Sequence, residues 1–419
     1  MSRSTRSPWL GLTHGALAAA VLLSSVAGAQ DPKIPRWRLD PYTQNDPELL
    51  AELGYVRYAP FPFGQRGRDI PSTDDIDAHL SSSQILWVET AHFKIGVGLA
   101  PYRIPGDPGT LKKIRGELTR LQETLRRVKP KTRVLDPWLR LHLTAMRLED
   151  TYAEFSELLG VADPDFPKGR EHVLIGQGRF MGYGPYFGMP GKYTVLVTAK
   201  TGPYLDYLET FLGRVSSSGQ RWHFKETGSL FYGAAADGED AKLRHDTALH
   251  THLVFNVAHN LVDGFRHYSY DLPVWIREGI AHWFARRISP RWPNYSQSEG
   301  GVADKRSTWR WRVTARRLMS SGKGAPLSEA YQWRDFSDIA FQDHVLIWSR
   351  WDYLMTLGND KFAEFMFALK GRVDAKTWSS DDNDLPGATR DALRQVYGVS
   401  PLSFDERWRE WVQENYPAQ

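Results

Sequence analysis

The chain predicts an α+β fold, and three features of it carry that prediction. Runs dense in branched and aromatic residues, at 85–97, 172–175 and 193–197, mark strands in the first half. Apolar residues spaced by three and four begin at Leu111 and return after Asp136-Pro137, marking helices there. From Arg244 the pattern turns helical and stays mostly so to the end, which gives a small mixed-sheet lobe followed by a helical lobe.

Residues 1–29 carry Arg3 and Arg6, an apolar run from Leu10 to Val26 and the small-residue site Ala27-Gly28-Ala29, the layout of a secretory signal peptide. Residues 30–85 form a proline-rich extension, expected to lie extended on the domain or be loosely ordered, with one short helix at 47–53. Residues 86–290 are expected to form the α+β domain, and 291–419 the helical C-terminal lobe, with no linker separating the two. Within the first, 85–97 reads as one strand. Leu111, Ile114, Leu118, Leu121, Leu125 and Val128 form the seam of one helix, and a second helix runs from Asp136-Pro137 to Gly160. The loop from Gly176 to Gly191 holds six glycines, but its Gly-x-Gly-x-x-x-Gly is one residue too long for a dinucleotide cradle and has no helix pattern behind it. Phe404, Trp408, Trp411 and Val412 place the tryptophans of the last helix in packing positions.

Composition narrows the function classes. The chain has no cysteine, which removes thiol nucleophiles and leaves His, Asp and Glu as its metal donors. The formal charge of +4 falls by two when Arg3 and Arg6 leave with the signal, too small a surplus to argue for nucleic acid. No stretch after the signal approaches the roughly 18 consecutive apolar residues of a spanning helix, so the expected address is exported, periplasmic or secreted. Neither a Gly-x-Ser-x-Gly elbow nor a phosphate-binding Gly-Lys loop occurs.

The chemistry concentrates in the histidines. Seven of the thirteen lie between His223 and His282, in a stretch that ends Leu272-Pro-Val-Trp-Ile-Arg-Glu-Gly-Ile-Ala-His-Trp-Phe284. A zinc hydrolase helix needs two histidines four apart, because about 3.6 residues per turn bring i and i+4 to one face. No histidine here has a histidine four residues on. What remains are His259 with Asp263 and Glu278 with His282, two His/carboxylate pairs at that spacing. Two readings stay open: a four-ligand metal site across two helices, or a polar network joining His252, Asn256, His259 and Glu278.

Residues 247–284 resemble the peptidase MA-like group of gluzincins, whose members carry His-Glu-x-x-His followed by a Leu-Pro-x-Trp-hydrophobic-x-Glu-Gly-hydrophobic-Ala segment. The resemblance extends more weakly over 87–416, with a strand at His92-Phe93, an edge-like segment at 228–234 and a helical tail. It implies a zincin-type fold with zinc as the metal, His259 as the second histidine ligand and Glu278 as the third ligand. Phe255 then stands at the first ligand and Asn256 at the general base. Phenylalanine binds no metal and asparagine takes no proton, so the resemblance implies a protein that has lost catalysis. The leading expectation is a non-catalytic module binding a polypeptide or cell-envelope ligand, without a cofactor. Its rivals are a metal-dependent hydrolase using His259, Glu278 and one or more of His252, Asp263 and His282, and a secreted scaffold.

Overall fold

The computed structural model describes residues 35–169, 175–176, 179–269, 272–296, 301–303, 310–374 and 381–418. The expected signal peptide, and most of the expected strand at 172–175, lie outside them. Residues Asp40–Gln419 form one unit; before it, Arg36–Arg38 make a single 3-10 turn.

The proline-rich segment is more structured than its composition suggests. The expected short helix is α1 (Pro47–Glu52), capped by the Asp46 side chain. Beyond it come β1 (Tyr55–Tyr58) and α2 (Thr73–His79), neither of which was expected. Burial explains the difference: Phe61, Phe63, Ile76 and Leu80 join Trp87 and Phe231 in one core cluster, and a reciprocal Ser72/Asp75 cap starts α2 directly after Pro71.

The run 85–97 is two strands rather than one. Between β2 (Leu86–Thr90) and β3 (Phe93–Gly98) the Thr90 hydroxyl accepts from the Phe93 amide at 3.1 Å, and this local bond turns the chain back on itself. A small ladder of β4 (Tyr102–Arg103) and β5 (Val134–Leu135) brackets α3 (Pro108–Thr124), and α4 (Pro137–Leu159) follows. Both helices start with a capping aspartate before a first-turn proline, and α4 stops at Gly160 with φ 61°. Ile114, Leu118 and Leu121 form the expected seam on α3, whereas Leu125 and Val128, expected on the same helix, follow its end at Thr124 and are buried in the same cluster with Leu139 and Leu143 of α4.

In the glycine-rich loop β6 (Ile175–Gly176) pairs with β7 (Arg179–Phe180). After β8 (Tyr193–Thr198) and α5 (Thr201–Tyr207), β9 (Gln220–Phe224) and β10 (Ser229–Ala235) complete the main sheet in the order β1-β2-β3-β8-β10-β9. Its β3–β8 and β8–β10 pairs are parallel and the rest antiparallel. β8 is buried at every position, as an interior strand covered on both faces should be. β10, expected at an edge, lies inside the sheet and is likewise buried throughout, whereas β9, with Gln220, Trp222 and His223 only partly covered, is the edge strand.

The centre of the molecule is α6 (Asp246–Gly264), in which every residue is buried, packed on α4, β10 and α7 (Val274–Ile288). A short hairpin of β11 (Asn294–Ser296) and β12 (Gly301–Ala303) leads to the helical region: α8 (Trp311–Ser320), α9 (Leu327–Ala330), α10 (Phe341–Met355), α11 (Asn359–Leu369), α12 (Leu385–Ala392) and α13 (Pro401–Asn415). α10 lies on α7 at Gly279, where a Cβ would fall 1.8 Å from the Trp351 ring. It is thus an indole that the glycine admits, and the Trp351 N–H donates to the Trp275 carbonyl at 3.1 Å. In α13, Phe404, Trp408 and Val412 are buried as their spacing predicts. Among the described residues no helix is long and apolar enough to cross a membrane.

Candidate functional site: a buried glutamate among histidines

Glu278 sits in the second turn of α7, inaccessible to solvent, and three imidazoles from three helices converge on its carboxylate. His259 of α6 brings Nε2 to 2.9 Å from Oε2. His282, one turn along α7 by the i, i+4 geometry, brings Nε2 to 3.3 Å from Oε1. His344 of α10 brings Nδ1 to 3.0 Å from the same Oε1. The two rings also meet each other, with His282 Nε2 and His344 Nδ1 3.2 Å apart.

The surroundings are buried and aromatic. Phe255 fills the space where the resemblance puts a first histidine ligand, its ring 5.0 Å from that of His259 and 5.1 Å from that of His282. Trp311 stands edge-on to His282 at 4.9 Å, and Phe336 to His259 at 5.8 Å. Burial, followed by the nearby Arg221 charge, brings His259 down to about 4, and burial also brings His282 down to about 4. Both rings are therefore neutral at pH 7. Burial would push Glu278 up, but the hydrogen bonds from His259, His282 and His344 outweigh it and hold the carboxyl well below its usual range. The chemical state is an ionised carboxylate accepting from imidazoles.

The other sequence-derived candidates face elsewhere. Asn256, at the expected general-base position, accepts from Arg221 of β9 at 3.0 Å through Oδ1 and donates from Nδ2 to the His252 carbonyl at 2.9 Å. The His252 ring points to the sheet side: Nδ1 donates to Asn294 Oδ1 at 2.8 Å, and Nε2 accepts from the Tyr232 hydroxyl. The Asn294 assignment is fixed by its own Nδ2, which donates to the Trp292 carbonyl. Asp263 is gripped by Arg277 through two hydrogen bonds of 2.6 and 2.7 Å, so its oxygens are spent one helical turn from His259. Of the four residues weighed as a two-helix metal site, the structure brings together His259, Glu278 and His282, and leaves Asp263 to the arginine. The expected network is likewise redrawn: His259 and Glu278 are bonded, the Asn256 side chain bonds the His252 backbone carbonyl, and the residue that sequence reasoning missed is His344.

The family-type zinc site does not fit these residues. Its first ligand position holds a phenyl ring and its base position an amide bound to a guanidinium, which leaves His259 and Glu278 from that set. The side chains that do converge, Glu278, His282 and His344, are a different set: one ligand atom from each lies within 4.8 Å of the others.

Open cavities flank the central helices. One, of about 520 Å³, is lined by Arg286, Arg287, Arg310 and Arg312 together with Trp283, Trp311 and Trp348; Asp352 is the acid in its wall. Arg286 lies over the Trp311 ring at 3.9 Å and Arg287 over the Trp283 ring at 4.1 Å, stacking that holds the guanidinium planes against the wall. Another, of about 360 Å³, lies beside the sheet edge between His223 and the glycine-rich loop residues Tyr183, Met189 and Pro190. Comparison of the sequence with protein-family models and with curated proteins finds no match.

Proposed function

We propose that the chain is an exported, catalytically degenerate relative of the peptidase MA-like (gluzincin) proteins with a zincin-type fold, working as a module that binds a polypeptide or cell-envelope ligand. One observation carries this reading: the residue at the general-base position is an asparagine whose carbonyl oxygen is already held by Arg221. An amide takes no proton from water at any ordinary pH, and a guanidinium beside it disfavours any cationic form. Burial supports the same reading, since Glu278, His259 and His282 offer a substrate carbonyl no accessible surface. The arginine- and tryptophan-lined cavity suits a ligand carrying carboxylate or phosphate groups, which its guanidinium forks pair with in two-point fashion.

The test is turnover. Tag-free chain without residues 1–29, incubated with a peptide library at neutral pH with and without added zinc, is expected to release no new termini by mass spectrometry. Zinc-dependent cleavage that disappears in Glu278→Ala would sink the reading. In parallel, poly-L-glutamate is expected to bind in low salt and to be released by Arg310→Glu with Arg312→Glu.

A second reading, a metal-dependent hydrolase with a rebuilt His/carboxylate site, draws on the convergence of His282 and His344 on Glu278. The same cleavage assay decides between them.

A further inference from the structure

We propose that Glu278, His282 and His344 form a zinc site, displaced by one helix from the position that the gluzincin resemblance implies, and that the ion pins α7 to α10. This inference is independent of whether the chain cleaves anything.

The argument is geometric. The three donor atoms, Glu278 Oε1, His282 Nε2 and His344 Nδ1, form a triangle with edges of 3.3, 3.0 and 3.2 Å. Zinc bonds to imidazole nitrogen and carboxylate oxygen are about 2.0–2.2 Å, so two ligands of a tetrahedral ion stand about 3.3 Å apart. The triangle is therefore close to one face of such a tetrahedron, and an ion about 2 Å from all three atoms would lie about 1 Å out of its plane. A hydrogen-bonded network explains two of these edges more easily than three. If both nitrogens donate to Oε1, two N–H groups crowd each other across 3.2 Å; if one donates to the other, Oε1 loses a donor. A cation about 2 Å from each atom takes all three lone pairs at once.

Support for the ligands is also built in. His259 Nε2 holds the second carboxylate oxygen at 2.9 Å, leaving Oε1 to the triangle and fixing the carboxylate plane. His282 is fixed by the i, i+4 relation to Glu278 and by the Phe255 and Trp311 rings against it. Two imidazoles and one carboxylate are a donor set that zinc takes readily, and all three side chains are buried, as a metal that staples helices requires. Phe255 then has a reason to replace a histidine: with the ion moved toward α10, the vacated ligand position is filled by packing.

The experiment uses the tag-free chain without residues 1–29, stripped with chelator, and zinc or cobalt alone. One zinc per chain is expected to survive gel filtration and to raise the melting temperature. Cobalt is expected to give the visible bands of a four-coordinate ion with nitrogen and oxygen donors. His344→Gln and His282→Gln are expected to abolish retention, while His259→Gln weakens affinity about 10- to 100-fold, as loss of an orienting hydrogen bond does. Failure of the unaltered chain to retain zinc and to give the cobalt spectrum overturns the proposal without reference to any variant. Retention at full affinity in His344→Gln, or loss in His259→Gln as complete as in His344→Gln, overturns the placement of the site. Near-ultraviolet circular dichroism of each variant separates a lost ligand from a lost fold.

Discussion

Two buried carboxylates on the central helix pair are handled in opposite ways. Asp246, at the start of α6, meets the Arg147 guanidinium through bonds of 3.1 and 2.7 Å, and the same arginine holds Glu117 at 2.6 Å. Glu278, on α7, is met by three imidazoles. A guanidinium is a permanent cation with donors only, so the Arg147 cluster is chemically finished: Arg147 and Lys113 balance Asp246 and Glu117, and the guanidinium has no lone pair to offer. An imidazole nitrogen can offer a lone pair to a cation, and the Glu278 cluster holds three donor atoms, Glu278 Oε1, His282 Nε2 and His344 Nδ1, within 3.3 Å of one another. The first arrangement makes structure; the second is open to an ion. Asp263 with Arg277 and Asp405 with Arg350 follow the first pattern; the buried Asp40 is met by one imidazole, that of His142, where Glu278 gathers three.

The contrast predicts unequal effects. Arg147→Met should be the most damaging change, leaving Asp246 and Glu117 buried with an uncompensated charge, at a cost of about 3–5 kcal/mol in urea denaturation. A loss below about 1 kcal/mol would mean that water reaches the pair.

Acid should expose the same cluster. Burial raises the Asp246 carboxyl and Arg147 lowers it by more, to about 2 from an ordinary 3.8. A depressed folded value means stability that is full above pH 3.8 and is lost as the pH falls through 2, about 2 kcal/mol in all. Asp246→Asn should remove that part of the pH dependence. An unchanged stability profile between pH 4 and 2 would assign the acid sensitivity elsewhere.

On the Glu278 side, Gly279→Ala should drive a methyl group into Trp351 and separate α10 from α7, costing about 1–3 kcal/mol. Because α10 delivers His344, the same change should weaken zinc retention although no ligand is altered. Normal retention would show that the ion does not depend on the α7–α10 approach.

The smallest effect is expected at His252, which lies outside both clusters. Burial lowers it to about 4, so below pH 6.5 the unfolded chain takes up a proton that the folded chain refuses, and stability falls between pH 6.5 and 4. His252→Gln should flatten thermal unfolding in that window by about 1–2 kcal/mol at pH 5.

Local signals account for what the sequence made legible. Three-four spacing located α3 and the Asp136-Pro137 cap located α4 to within a few residues, because these signals lie in the residues that form the helices. The pairing of His259 with Glu278 was visible in the Glu-Gly-Ile-Ala segment, and its i, i+4 partner His282 in the spacing alone. The turn at Thr90 escaped because one hydroxyl, bonded to both the amide and the carbonyl of Phe93, redirects a run that is otherwise uniformly strand-like. Asp263 was misjudged for a related reason: Arg277 faces it only once α6 and α7 are packed. His344 had no local signal at all. It lies 62 residues beyond His282, an isolated histidine on an ordinary apolar helix, and only tertiary packing gives it company.

The hydrogen bond from Arg221 to Asn256 also bears on how such a protein could change over time. A glutamate substituted at position 256 would find a guanidinium waiting, and the ion pair would hold the new carboxylate as a weak base turned toward the sheet edge. A single substitution at position 256 therefore yields a paired carboxylate rather than a free base, and freeing it takes a second change at Arg221, on a different strand.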